Sequence, residues 1–250
     1  MRVWFCFALT LAFAGCRSTA TIPLTGEPSD AVSFTVISGD LAPDDELAAL
    51  ITPFRDRMIG ETSTVIGNTP AELTTGRPEG TLGNMAADAM LAVVQGLVDR
   101  PVDMALTNNG GLRTPIGPGE ITVGKIYELM PFDNTLVVLD LSAAQVDSLS
   151  QQLARNGGDP IAGLAIAVDD DRAVLIEVGG RPLSSSETYR LVTSDYLANG
   201  GGPYDVLWPV DTREELSFLL RDVFIEYVRS VGVIEPVLDG RIRTHSPSNQ

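Results

Sequence analysis

The stretch Thr107-Asn108-Asn109-Gly110-Gly111-Leu112-Arg113 constrains this chain more than any other, because residues 103–108 read as a strand that runs straight into two glycines. Glycine permits a sharp turn and lets the backbone come close to a ligand. Pro131-Phe132-Asp133-Asn134 follows, and Asp195-Tyr196-Leu197-Ala198-Asn199-Gly200-Gly201-Gly202 adds a second aromatic and a second glycine turn. Amides, a guanidinium and aromatic faces grouped around glycines are equipment for holding a planar, anionic small molecule.

The rest of the chain alternates between helix and strand patterns. After Pro43-Asp44-Asp45, residues Leu47, Leu50, Ile51, Phe54 and Met58 recur at helical spacing and give one apolar face. That face either packs on its own domain or offers a docking place for another chain. Residues 65–68 read as a short strand. Residues 81–99 form the strongest helix, alanine-rich, with Met85, Ala89, Ala92, Val93 and Leu97 apolar. Asn84 and Asp88 share one face of it. They are read as structural supports, within reach of Asn108 and Asn109, because buried polar groups need partners.

Residues 123–130 predict a short helix and residues 135–141 a β-branched strand. Ser142-Ala143-Ala144-Gln145 fits a capping box that opens a helix to Arg155. Residues 163–168 and 173–178 predict a hairpin whose tip, Asp169-Asp170-Asp171-Arg172, lacks the remaining ligands of a calcium loop and reads as a solvated turn. Residues 189–195 read as a strand. Residues 213–231 read as the closing helix, with Leu216, Leu219, Leu220, Val223, Phe224, Tyr227 and Val231 along one face. Such alternation, hairpin included, predicts an α+β fold with a mixed sheet and helices on both faces. No internal repeat, zinc spacing, P-loop or nucleophile elbow occurs.

At 250 residues and 44% hydrophobic content the chain suits one well-buried domain. Met1-Arg2 gives a positive start, residues 3–15 are apolar and Cys16 ends the run, which is the form of a signal peptide. The run is shorter than the ~20 residues a spanning helix needs. Phe13-Ala14-Gly15-Cys16 resembles the lipobox at which bacterial lipoproteins are cleaved and acylated; an ordinary secretory signal with a chance cysteine is the alternative. Cys6 would leave with residues 1–15, so Cys16 would have no partner for an intramolecular disulfide. Arg17, in place of an aspartate retention signal, favours the outer membrane, facing periplasm or cell surface. Residues 16–31 then form a flexible tether, residues 32–244 the domain and residues 245–250 a frayed tail.

The net charge of −16 argues against nucleic-acid binding and against adhesion to anionic headgroups, leaving the lipid anchor as the membrane contact. Any anionic ligand must therefore find a local positive spot. Arg113 is its obvious source.

Taken in order, Leu82-Gly83-Asn84-Met85-Ala86-Ala87-Asp88-Ala89-Met90 and the three glycine and aromatic segments resemble the C-terminal, substrate-recognition domain of the 5′-nucleotidase / UDP-sugar hydrolase family, over residues 63–233. The resemblance implies a three-layer α/β/α sandwich. Two-domain members carry an N-terminal metallophosphatase domain whose two-metal site of Asp, His and Asn ligands activates water for attack on phosphorus. This chain has one histidine, His245, and too few residues before the first motif for such a domain. No catalytic residue, metal site or cofactor is therefore expected in it, and divalent metals are expected only in a partner metallophosphatase chain.

The resemblance further implies that Phe132 and Tyr196 sandwich a nucleobase, that Asn134 reads the base edge and that Arg113 reaches the phosphate, with Asn109, Gly110 and Gly111 as the loop wall. Aromatic stacking tolerates any base, an amide both donates and accepts, and a planar guanidinium suits phosphate oxygens. Core packing is the alternative role for both aromatics, and a carboxylate pair the alternative for Arg113. Two positions depart from the family pattern. Gly202, followed by Pro203, stands where an aspartate commonly grips ribose hydroxyls, and only Arg77, slightly out of step, precedes the Leu-Gly-Asn helix. The expected function is a nucleotide or nucleoside recognition module completing a 5′-nucleotidase-type hydrolase in nucleotide catabolism. A non-enzymatic nucleotide- or metabolite-binding envelope lipoprotein and a structural remnant without ligand are the alternatives.

Lipidation at Cys16 is directly measurable. Mass spectrometry of the membrane fraction should find an acylated N-terminal cysteine, and Cys16→Ser should release the protein or leave it unprocessed. A soluble mature chain with an unmodified Cys16 would contradict the assignment.

Overall fold

A computed structural model describes Ala42 and residues 44–245. The expected leader, Cys16, the tether, the first residues of the domain and the tail beyond His245 lie outside these residues. The chain divides after Ala48 into two units. The first contributes only Ala42 and residues 44–48 to the described residues, and Asp44 there caps a helix by accepting from the Glu46 and Leu47 amides at 3.0 and 3.1 Å. That helix, α1, is Asp45–Thr62. The second unit starts at Ala49.

Its elements in chain order are β1 (Val65–Thr69), α2 (Thr81–Val94), β2 (Met104–Leu106), β3 (Gly119–Thr122), α3 (Val123–Leu129), β4 (Thr135–Ser142), α4 (Ala143–Arg155), β5 (Ile161–Ala162), β6 (Leu164–Asp169), β7 (Arg172–Val178), β8 (Arg181–Pro182), β9 (Thr188–Ser194), α5 (Asp195–Ala198), β10 (Arg213–Leu219), α6 (Leu220–Val231) and β11 (Ile242–Thr244). A central sheet of order β10-β4-β9-β2-β5 is mixed, since β2 and β9 are parallel and the other pairs antiparallel. A second sheet runs β11-β6-β7-β8, and β1 pairs with β3.

The period-two geometry of strands sorts the central sheet into two faces. Leu136 and Val138 of β4, Ala105 of β2 and Val192 of β9 enter one core with α2, α3 and α6. Val137, Leu139 and Leu141, with Met104, Leu106 and Leu191, enter a second core with α4 and the β6–β7 hairpin. Two apolar cores on opposite faces of one mixed sheet make the α+β, three-layer α/β/α arrangement. The capping box at Ser142 is present: its Oγ accepts from the Gln145 amide while Gln145 Oε1 accepts from the Ser142 amide at 2.9 Å.

Three expectations need correction. Residues 213–231 are not one helix, because residues 213–219 form β10, which pairs with β4 as the edge of the central sheet. Its Leu216 meets the helical period and the strand pattern equally well, and the unpaired backbone of β4 decides in favour of a ladder. α2 ends at Val94 rather than continuing to residue 99. There the Gln95 side chain donates to Val102 O and accepts from Val102 N at 2.7 and 3.2 Å, and Gly96 follows. Finally, the apolar residues of α1 do not pack on the domain: Leu50, Ile51, Phe54, Met58 and Ile59 are exposed. No helix among the described residues is long and apolar enough to cross a membrane.

Glycine is required where β5 turns into β6. Gly163 has φ +69°, and a Cβ there would stand 2.0 Å from Asp103 O. Gly180 has a similar φ of +72° with open space around it. Gly163→Ala should therefore cost ~3 kcal/mol or more by urea denaturation, and Gly180→Ala only the ~1–2 kcal/mol of the left-handed conformation. Equal costs would refute the close approach at Gly163.

Candidate functional site

Parallel β2 and β9 end on the same side of the central sheet, and the loops that leave them converge there. Open sheets place ligands at such carboxyl ends. A cavity of about 300 Å³ lies at this point, at the lower end of the range of small-molecule sites. Its floor is Thr107 and Ser194, the residues that leave the two strands. One wall is the turn Asn109–Gly111, a short 3-10 helix. Asn108 lies across that turn, and Cβ atoms at Gly110 or Gly111 would come within 3.2 and 3.3 Å of its amide. The other walls come from Met130, Phe132 and Asn134 after α3, Leu220 at the start of α6, and Tyr196 in α5.

Phe132 and Tyr196 are 42% and 48% exposed, so neither is a core residue. The Arg113 guanidinium stands over the Phe132 ring, 5.9 Å from its centroid, a cation–π arrangement. Its Nη1 donates to Gly110 O at 3.0 Å, and among the described residues no carboxylate pairs with it. Asn134 Nδ2 donates to Asp195 Oδ1 at 2.9 Å, and the same oxygen accepts the Tyr196 amide at 2.7 Å. The carboxylate fixes the orientation of the amide, so Asn134 keeps Oδ1 as its acceptor.

Charged side chains hold these loops from behind. Arg221 of α6 is buried, and its Nη1 donates to Met130 O and Phe132 O at 3.4 and 3.3 Å while Nη2 pairs with Asp133 at 2.9 Å. Tyr127 of α3 packs against it, with its ring centroid 4.4 Å from the guanidinium. Asp159, also buried, binds three segments. Its Oδ1 accepts from Asn109 N and Nδ2, both at 3.0 Å, and its Oδ2 accepts the Tyr204 hydroxyl at 2.6 Å. Arg77 Nη2 lies 3.6 Å from it. Burial, then the charge of Asp159 and its hydrogen bond, push the Tyr204 hydroxyl far above its ordinary pKa, so it remains a proton donor throughout the working pH range.

Residues 58–208 match the family described as 5′-nucleotidase, C-terminal domain. The chain belongs to this family. It is 31% identical over 182 residues to the trifunctional nucleotide phosphoesterase YfkN of Bacillus subtilis, covering 66% of this chain and 12% of that protein. It is 31% identical over 176 residues to a probable 5′-nucleotidase of Treponema pallidum, covering 61% and 30%. The chain thus spans less than a third of the length of these two relatives. A 5′-nucleotidase precursor from Thermus thermophilus superposes with a TM-score of 0.69 at 31% identity, over 82% of this chain and 45% of that one. The Haemophilus influenzae NAD nucleotidase shares the fold, with a TM-score of 0.66 at 18% identity.

Within this 5′-nucleotidase C-terminal domain, Gly110, Gly111, Arg113, Phe132, Asn134 and Tyr196 all line the cavity. Asn109 does not: its side chain turns away to Asp159, and the adjacent Asn108 takes the place on the wall. Asn84 and Asp88 do not support the loop either. Asn84 Nδ2 donates to Glu79 and to Val237 O at 2.6 and 3.0 Å, and Asp88 pairs with Arg241 at 2.8 Å, so both fasten the C-terminal segment. Gly202 is not among the lining residues, and Arg77 serves as a brace, donating to Asn156 O and Gly158 O as well as facing Asp159.

Thr107, Asn108 and Ser194 on the cavity, and Asp195, Asp159 and Arg221 behind it, lie beyond the site expected from the sequence. One of them carried a signal. Arg221 sits in the apolar stripe of an amphipathic helix, where an unpaired charge is untenable.

Removing the Asp159 carboxylate leaves the Tyr204 hydroxyl and the Asn109 amide without an acceptor. Asp159→Ala should lower stability by ~3–5 kcal/mol and accelerate hydrogen exchange at the Asn109 amide. Asp159→Asn, which keeps an acceptor, should do markedly less. Unchanged exchange in the alanine variant would show that Asp159 does not hold the loop.

Proposed function

We propose that this chain is the nucleotide- or nucleoside-recognition module of a 5′-nucleotidase-type hydrolase in nucleotide catabolism, acting with a separately encoded metallophosphatase subunit and anchored to the bacterial envelope, at the outer membrane, through lipid on Cys16. The observation that carries the reading is the pair of half-exposed rings, Phe132 and Tyr196, on one 300 Å³ cavity with Arg113 above the first ring. Two aromatics left half-exposed beside the cavity forgo burial that packing in the core would have given them. Stacking a base regains it at ~1–3 kcal/mol per base. Asn134 and Asn108 supply hydrogen bonds to the ring edge, and Arg113 supplies the positive charge that a phosphate needs on a chain of net charge −16.

The names of the relatives, a nucleotide phosphoesterase and 5′-nucleotidases, agree with this ligand class. Among the described residues no three His, Cys, Asp or Glu side chains gather as metal ligands. In this reading the divalent ions and the attack on phosphorus belong to the metallophosphatase. This chain's contribution is to hold the substrate in a reactive pose against them.

Calorimetry with adenosine and AMP, followed by phosphate release assays, tests the proposal. Both ligands should bind the chain alone, Phe132→Ala should weaken both by ~1–3 kcal/mol, and Arg113→Ala should weaken AMP more than adenosine. With added divalent metal the chain alone should release no phosphate, whereas mixing it with a cognate metallophosphatase should raise that enzyme's turnover. Binding of no nucleoside or nucleotide, with no effect on the partner's rate, would refute the proposal.

A further inference from the structure

Thr107 and Ser194 occupy equivalent places at the ends of two parallel strands. The register sets Met104 against Leu191 and Ala105 against Val192, and the same offset carried two residues on, just past the end of β2, matches Thr107 with Ser194. Strand alternation turns both side chains to the face that carries Ala105 and Val192, and both line the cavity floor. They are 1% and 3% exposed. Ser194 Oγ accepts the Leu197 amide at 3.3 Å. Thr107 Oγ1 has no hydrogen-bond partner among the described residues.

The contrast with Thr193 is informative. That side chain, buried on the opposite face, donates to Leu106 O at 2.9 Å, so the fold satisfies a hydroxyl there that faces only protein. A buried hydroxyl normally finds a partner. The one left over is itself buried, on a residue that lines the cavity together with Phe132 and Tyr196.

We propose that Thr107 is a specificity-determining residue whose hydroxyl hydrogen-bonds the inward edge of the heteroaromatic ring held by the two aromatics. This rests on the nucleotide-recognition reading and adds to it which atom tests the base. The rings themselves are indifferent to base identity, because every base has a π-face. A hydroxyl at the floor is not indifferent. It donates and accepts, so it is satisfied by a ring nitrogen, carbonyl or amino group and left unpaired by C–H. A site built to hydrogen-bond its ligand rejects analogues that lack the partner more strongly than an apolar pocket rejects a change of shape. The ligand class is therefore a base with polar atoms on its deep edge, and discrimination is against a ring of equal size whose edge is apolar.

The full chain is titrated with adenosine and with benzimidazole riboside, which retains the bicyclic shape but carries only C–H on its six-membered ring. Wild type should prefer adenosine. Thr107→Val keeps the branched shape without the hydroxyl, and should weaken adenosine about tenfold while leaving benzimidazole riboside unchanged or tighter; Thr107→Ser should restore the preference. If the valine variant does not fold, Thr107→Ala supplies the same comparison. Loss of affinity for both ribosides in equal measure, or an unchanged ratio in a hydroxyl-free variant, would overturn the inference while leaving the nucleotide-recognition reading intact. A wild-type chain that binds neither riboside would overturn both.

Discussion

The parallel pairing of β2 with β9 is the constraint on which the rest of this domain depends. Two strands far apart in sequence must run in the same direction, and parallel neighbours need a long crossover between them. The intervening chain supplies β4, which joins the sheet, and α3, α4 and the β6–β7 hairpin, which cover its two faces. Because both strands end on one side, the Asn109–Gly111 turn and the α5 turn are brought together without contact between them in sequence. An antiparallel arrangement of the same two strands would have sent these turns to opposite ends and left no cavity.

Convergence alone does not give the loops a fixed shape, since none of them has ladder hydrogen bonds of its own. Buried and half-buried charges supply the missing order. Asp159 joins Arg77, the Asn109 turn and Tyr204, Arg221 holds the Met130 and Phe132 carbonyls, and Asp195 fastens Asn134 to the Tyr196 backbone. Hydrogen bonds to charged groups contribute ~1.5–3 kcal/mol each, more than neutral ones. Glycine completes the arrangement at one further point: a Cβ on Gly201 would stand 2.3 Å from the Tyr196 ring, so the second glycine turn packs directly against the aromatic. A strongly acidic molecule thus presents two ordered rings, several uncharged polar groups and one exposed arginine at a single spot.

Much of this was legible in the chain itself. The Ser142–Gln145 capping box, the β6–β7 hairpin, β4, and the six residues from Gly110 to Tyr196 that share the cavity are all local features, set by turn chemistry and by periodicity within a few residues. What the residues alone did not reveal was any choice between equally good local patterns. Residues 213–219 satisfy a helical stripe and an edge strand alike. Asn108 and Asn109 differ only in which way a turn rotates them, and Asn84 and Asp88 have two possible sets of partners.

The sequence by itself determined the family, the mixed three-layer fold and which segments carry the site, because glycines, aromatics and apolar periods act over short range. Only the tertiary structure decided which side chain of each segment lines the cavity, which charges brace it, and that the Thr107 hydroxyl, unlike that of Ser194, has no hydrogen-bond partner among the described residues. Those outcomes depend on the register between strands and on partners tens of residues away, and a buried polar group is satisfied by whatever the fold places beside it rather than by its neighbours in the chain.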